Sequence, residues 1–190
     1  MNVVEIFESI QGEGEFMGEY CTFVRFAGCN LQCPFCDEHH KYGMAKDMSV
    51  EDIVNQVKTP HVVLTGGEPT LQPQFEQLCT ALSEARHYVH IETNGTKYID
   101  HSQRNLWVTC SPKAPDFKVA TPYHEMKLVV DPSLTIERAY SLWNKCSPIW
   151  LQPCDGPYIA DSKRKIIKWV KQHPEAFRAG IQLHKYYGII

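Results

Sequence analysis

No stretch of the chain approaches the roughly 18 consecutive apolar residues of a membrane-crossing helix, so no membrane partner is expected. The opening residues, MNVVEIFESIQGEGE, lack a basic start and a long apolar stretch and carry Glu5 and Glu8; a secretory leader is not expected. Runs of Lys and Arg are also missing, and the formal net charge is −3. A nucleic-acid partner, which needs a basic patch or stripe, is therefore not expected. Repeats, low-complexity segments and clear linkers are lacking too. A cytoplasmic globular protein is the expectation, and 190 residues suffice for one sizeable core, so a single domain over 1–190 is the simplest organisation.

Apolar residues alternate between two kinds of run. Short β-rich stretches fall at 21–27, 61–65, 88–93, 106–110, 125–130, 148–152 and 179–184. Between them lie helical patterns. Ser49 precedes VEDIVNQV with Asp52 at a capping-box offset. Residues 72–86 put Phe75, Leu78, Leu82 and Ala85 on one face. Residues 135–146 and 161–172 carry similar stripes, Ile136, Ala139, Leu142 and Trp143 in the first and Ile166, Ile167 and Val170 in the second. Strand–helix alternation predicts an α/β fold with a parallel sheet. A full eight-unit barrel takes ~250 residues, so a partial (β/α) barrel of about six βα units is expected, with its site at the carboxyl ends of the strands.

Cysteine, by contrast, is plentiful: three of the eight fall within FAGCNLQCPFCDEHH, at Cys29, Cys33 and Cys36, in C-x3-C-x2-C spacing. In a cytosolic protein such thiols are reduced or metal-bound rather than paired as disulfides. Three readings stand. The cysteines could be unbound core residues. With His39 they could form a Cys3His zinc site. Or they could hold an iron–sulfur cluster, which usually takes four cysteines. The other five, Cys21, Cys79, Cys110, Cys146 and Cys154, are scattered and read as small packing residues. A cluster here would keep one iron without a protein ligand, and an open coordination position is where chemistry takes place. A second motif, LTGGEPTL at 64–71, ends a β-rich run in two glycines, which permit close approach of backbone to a ligand.

C-x3-C-x2-C with Phe35 before the last cysteine, followed one βα unit later by GGEP, resembles the radical S-adenosylmethionine superfamily. The resemblance implies a [4Fe–4S] cluster on Cys29, Cys33 and Cys36. S-adenosyl-L-methionine would chelate the fourth iron, and an electron from the cluster would cleave the sulfonium to a 5′-deoxyadenosyl radical. ESIQGEGEFMGEYCTFVRFAGCNLQC, IETNGT, VTCSPK, LQPCDGP and IQLHKYYGII, in that order, are similar to the 7-carboxy-7-deazaguanine synthase family across essentially the whole chain. Membership would imply a homodimeric lyase of queuosine and 7-deazapurine biosynthesis, supplied with electrons by a donor such as flavodoxin or ferredoxin. It would convert 6-carboxy-5,6,7,8-tetrahydropterin to 7-carboxy-7-deazaguanine with loss of ammonia, assisted by Mg²⁺. The abstracted hydrogen would be returned, so S-adenosylmethionine would not be consumed.

Residue by residue, the resemblance puts Ile10, Gln11, Gly12 and Glu13 beside the pterin. Arg25 would meet the substrate carboxylate, which suits a guanidinium fork, although a surface ion pair is the plain alternative. Thr65 would bond the substrate, and His184 and the terminal carboxylate of Ile190 would face it, the alternative for His184 being a satisfied core histidine. Phe35, Cys36, Asp37, Gly67, Glu68, Glu92 and Asn94 would border S-adenosylmethionine. Ser111, Pro112 and Lys113 would line its adenosyl group, with Gln152, Pro153, Cys154 and Asp155 around adenine and ribose. No side chain is assigned as a catalytic acid or base. One departure stands out: the family has Thr or Ser where this chain has Glu38, and that hydroxyl binds Mg²⁺. A carboxylate also suits Mg²⁺, so Glu38 is the expected metal ligand. The loop after it, HHKYGMAKD, is short. Two other readings share the cysteine motif: a glycyl-radical-activating enzyme acting on a protein partner, and a non-catalytic zinc or iron–sulfur interaction module.

Overall fold

The computed structural model describes residues 1–36, 43–100, 102, 105–113 and 118–189. A nine-stranded sheet runs in the order β3-β1-β2-β4-β5-β6-β7-β8-β9. These strands are β1 (Asn2–Ile10), β2 (Tyr20–Phe26), β3 (Lys46–Asp47), β4 (His61–Gly66), β5 (Tyr88–Thr93), β6 (Leu106–Cys110), β7 (Glu125–Val130), β8 (Ile149–Pro153) and β9 (Phe177–Ala179). From β2 through β4 to β9 every pairing is parallel, whereas β1 lies antiparallel to both β2 and β3. Seven parallel strands make six crossovers, as expected. Among the described residues four of these carry a helix: α1 (Val50–Val54), α2 (Phe75–Glu84), α3 (Ile136–Ser141) and α4 (Ile159–Gln172). A fifth helix, α5 (Leu183–Tyr187), follows β9. No described helix is long and apolar enough to cross a membrane.

Local chemistry explains the boundaries. Ser49 caps α1 in a full capping box: its hydroxyl accepts from the Asp52 amide at 3.0 Å, and Asp52 reaches back to the Ser49 amide. One strand went unread and one expectation needed correction. The opening residues form β1, a strand that alternation did not reveal because Glu5 and Glu8 interrupt it; their charges are met by Arg25 and by Tyr20 and Lys58. The run 179–184 is not a strand: β9 ends at Ala179, and the alternation comes from Gln182 and His184 facing a cavity.

The apolar core lies on the helix side of the sheet. Val62, Leu64, Val89, Ile91 and Val108 pack with Ile53, Leu78 and Leu82. Further along, Met126, Leu128, Val130, Ile149 and Leu151 pack with Ala139, Ile166 and Trp169. The opposite sheet face is polar: His90, Glu92, Thr109, Glu125, Lys127 and Gln152 alternate with those core residues. The sheet has open edges, but it curls enough for its two ends to meet. The Leu183 amide donates to the Gly12 carbonyl at 2.9 Å, and Gln182 donates to Glu13 at 3.0 Å.

The strap between β1 and β2 runs along this polar face. Its Phe16 is seated edge-on against His90 and Trp107, with ring centroids 4.3 and 5.0 Å away. His61 and His90 share a hydrogen bond of 2.9 Å beside it. Burial, and to a lesser degree His61, push the His90 imidazole down to about 3. An unfolded histidine titrates near 6.5, so below that pH the unfolded chain takes a proton that the folded chain refuses. Stability is therefore fully present above pH ~6.5 and falls toward pH 3, by at most about 1.4 kcal/mol per pH unit from this group. Urea midpoints measured from pH 7 down to pH 4.5 are expected to fall less steeply for His90→Phe than for the parent.

Candidate functional site

At the carboxyl ends of the parallel strands lies a cavity of about 310 Å³. Its walls bring together most of the residues singled out above: Ile10, Gln11, Gly12, Glu13, Arg25, Cys29, Cys33, Phe35, Cys36, Thr65, Gly67, Glu92, Asn94, Ser111, Lys113, Gln152, Pro153, Cys154, Asp155 and His184. Two lie elsewhere. Pro112 faces a smaller neighbouring recess with Phe35, Lys113 and Val129. Glu68 is fully buried and does not line the cavity. Asp37, Glu38, His39, His40 and Ile190 fall outside the described residues.

The floor is built on β4. Gly66 has φ +112°, and a Cβ there would stand 2.3 Å from the Phe26 carbonyl oxygen and 2.4 Å from its nitrogen. Only glycine lets the strand cross so near the neighbouring backbone. The chain then hooks under the cysteine loop: the Gly67 amide donates to Phe26 O at 2.9 Å and the Glu68 amide to Gly28 O at 2.8 Å. The Glu68 carboxylate accepts from the Thr70 amide (3.3 Å) and hydroxyl (2.7 Å), the Thr93 hydroxyl (2.7 Å) and the Asn94 amide (2.7 Å). A buried carboxylate requires such saturation. Glu68 thus joins the ends of β4 and β5 beneath the site. Asn94 in turn donates to Asn30 at 3.0 Å and lies 3.9 Å from the Cys29 sulfur, which ties the cysteine loop to β5.

On the β1–β2 side, Arg25 and Thr65 are register partners on β2 and β4 and both line the cavity. The Arg25 Nε donates to Glu5 at 2.7 Å, and its guanidinium lies 5.5 Å over the Phe7 ring. The ion pair that was the plain alternative for Arg25 is therefore present, on a cation that also faces the cavity. Opposite, Lys113 donates to Ser111 at 2.8 Å. Burial, then the nearby Lys127, hold its ammonium below the usual lysine range, against Glu13, Glu92 and Cys33. Cys33 is raised by burial and by Cys29 and Cys36, with Lys113 opposing.

Several lining residues escaped the sequence reading: Phe7, Phe23, Leu31, Val63, Gly66, Thr93, Lys127, Val129, Gln182 and Lys185. Lys127 is the most consequential. It is buried and bridges Glu13 at 2.8 Å and Glu92 at 2.7 Å. Burial alone would depress its ammonium; the two carboxylates outweigh that and raise it above the ordinary lysine range. Glu13 is held below the usual carboxylate range: burial raises it, but Lys127, Gln182 and His184 prevail. A charged residue inside a β-rich run carries no local signal of such pairing.

Two observations bear on what the cavity holds. Gln152 is buried, and neither its Oε1 nor its Nε2 has a hydrogen-bond partner among the described residues. A buried amide left unsatisfied at a cavity wall calls for a polar ligand. The three thiols line the same cavity, yet no three His, Cys, Asp or Glu among the described residues converge on one metal ion. Three thiols on one cavity wall are the donor set that soft metals and iron–sulfur clusters take.

The class follows from fold and thiol loop together: residues 23–127 match the family model described as the Radical SAM superfamily. The chain is 40% identical over 185 residues to 7-carboxy-7-deazaguanine synthase of Bacteroides thetaiotaomicron, covering 95% of this chain and 94% of that protein. It is 31% identical over 216 residues to the synthase of Haemophilus influenzae, covering 99% and 93%. The crystal structure of QueE from Escherichia coli superposes with a TM-score of 0.73 at 25% identity, covering 96% and 94%. Streptococcus suis SuiB bound to S-adenosylmethionine shares the fold, with a TM-score of 0.53 at 13% identity over 84% of this chain and 47% of that one. The chain belongs to the 7-carboxy-7-deazaguanine synthase family of the radical SAM superfamily. Membership brings a [4Fe–4S] cluster and S-adenosylmethionine as cofactors.

Gly66→Ala is expected to lose about 2–4 kcal/mol, because both the left-handed backbone and the Phe26 backbone resist the added methyl. Urea denaturation of the apo-protein measures this, with an unchanged denaturant slope.

Proposed function

We propose that this chain converts 6-carboxy-5,6,7,8-tetrahydropterin to 7-carboxy-7-deazaguanine and ammonia, as one domain over residues 1–190. The carrying observation is that the three thiols and Arg25 open into one cavity of about 310 Å³. That volume suits small molecules and disfavours a protein substrate of the glycyl-radical-activating kind. When bound, the cluster and S-adenosylmethionine together supply the radical chemistry that removes one substrate hydrogen and later returns it.

The chain's own residues bind and orient. Cys29, Cys33 and Cys36 hold the cluster. Gly67, Asn94, Ser111, Lys113 and the segment Gln152–Asp155 surround S-adenosylmethionine, with Phe35 against it; Gln152 supplies a ready donor and acceptor. Glu68 acts from beneath by fixing Thr93 and Asn94. Arg25, held by Glu5 and Phe7, presents its guanidinium to the substrate carboxylate, and Thr65 stands next to it. Ile10, Gln11, Gly12, Glu13 and His184 enclose the pterin ring. The family resemblance adds the Ile190 carboxylate on the substrate side, Asp37 on the cofactor side, a homodimer, a flavodoxin- or ferredoxin-like electron donor, a cytoplasmic location, and Mg²⁺ on Glu38.

The decisive test is anaerobic turnover of reconstituted protein with S-adenosylmethionine, dithionite, Mg²⁺ and the tetrahydropterin, followed by mass spectrometry. Product in excess of 5′-deoxyadenosine is expected; 5′-deoxyadenosine alone would show that the substrate is wrong. Arg25→Lys, which loses the planar fork, should raise KM about tenfold with a smaller change in kcat. Glu38→Thr should change the Mg²⁺ concentration needed for half-maximal rate; an unchanged curve and rate would remove Glu38 from the metal.

A further inference from the structure

We propose that Lys127 is a positioning residue for the pterin side of the site, acting through Glu13 and the strap that carries it and through Glu92, which is thereby moved from the cofactor side, where the resemblance put it, to the pterin side. The proposal rests on the function argued above.

Lys127 sits in the middle of β7 on the polar face, with 9% of its side chain exposed. Its Nζ contacts Glu13 Oε2 at 2.8 Å and Glu92 Oε2 at 2.7 Å. The second oxygen of each carboxylate receives an amide: Gln182 Nε2 donates to Glu13 Oε1 at 3.0 Å, and Gln11 Nε2 to Glu92 Oε1 at 3.4 Å. The strap, β5, β7 and the segment after β9 meet at this one ammonium, and all five residues line the cavity. Two residues earlier on the same strand face, Glu125 Oε2 accepts from the Glu15 amide at 2.7 Å. A Cβ on Gly14 would stand 2.1 Å from Glu125 Oε1, so the strap lies directly on that carboxyl. β7 thus pins the strap at Glu13 and at Glu15, and the placement of Gln11, Gly12 and Glu13 depends on it.

The charges make the role specific. Two buried carboxylates facing each other would repel, and one would take a proton. A shared ammonium offsets that repulsion and holds both in place, and a fixed carboxylate is a strong acceptor for ligand N–H groups. A tetrahydropterin, whose pyrimidine ring is rich in N–H donors, is a ligand that such a pair can orient. S-adenosylmethionine contacts the other side of the cavity in the proposed arrangement, so the two ligands should respond differently.

The experiment compares the parent, Lys127→Met and Lys127→Arg. Binding of 6-carboxypterin, a fluorescent and oxidation-stable probe, is titrated by fluorescence; binding of S-adenosylmethionine to the reconstituted proteins is measured by equilibrium dialysis. Lys127→Met should weaken the pterin by about 10- to 100-fold, the equivalent of losing one hydrogen bond to a charged group. Its affinity for S-adenosylmethionine should stay at the parent value, and Lys127→Arg should recover most of the pterin affinity. Parent-like pterin binding by Lys127→Met, or parallel loss of both ligands, overturns the proposal. Should Lys127→Met not fold, Lys127→Gln, which keeps a hydrogen-bond donor but no charge, is measured in its place, with the same outcomes deciding. A parent protein that cleaves S-adenosylmethionine but fails to bind 6-carboxypterin would instead sink the functional reading, and this proposal with it.

Discussion

The site depends on one buried carboxylate. Glu68 takes four hydrogen bonds from the ends of β4 and β5, while its own amide and that of Gly67 reach across to the backbone before Cys29. A carboxylate without water must have every acceptor position met, so the partners cannot drift without large cost. Three strand ends and the cysteine loop are thereby fixed to one another. The glycine at position 66 is the other half of this constraint, since the crossing leaves no room for a side chain.

From that anchor the polar face of the sheet acquires its character. Helices cover one face with apolar side chains, and the other face is left to charged and amide groups that must pair among themselves. Lys127 with Glu13 and Glu92 answers this need at the centre. Further down, Glu125 carries the strap; burial and Glu92 push its carboxyl up to about 7, against the Glu15 amide and Lys127. At the bottom Phe16 plugs the interior among His61, Tyr88, His90 and Trp107. The strap is held at three levels, and the cavity remains above it.

Much of the frame could be read in advance because it is local. The parallel strands from β2 to β8 announced themselves as apolar β-rich runs, Ser49 as a cap, and the cysteines and GGEP by spacing. β1 was hidden because Glu5 and Glu8 find partners across strands, Arg25 on β2 and Lys58 beyond it, which no window along the chain displays. Residues 179–184 alternate for a different reason than a strand does: Gln182 and His184 turn toward a cavity. Glu68 was expected beside a cofactor, yet it lies beneath the cavity, because a short motif says which residues gather but not which of them faces the ligand.

The sequence by itself determined the kind of chemistry through its resemblance to a family, which rests on three closely spaced thiols, a glycine turn and five short segments in order. It also determined the alternation that yields a parallel sheet. Only the tertiary structure decided that Gln152 faces the cavity with an amide unpartnered among the described residues, that Arg25 is steadied by Glu5 and Phe7, and that Lys127 joins four distant segments. Each of those depends on pairings between residues far apart in the chain, and the free energy of a buried charge is set by what surrounds it in space.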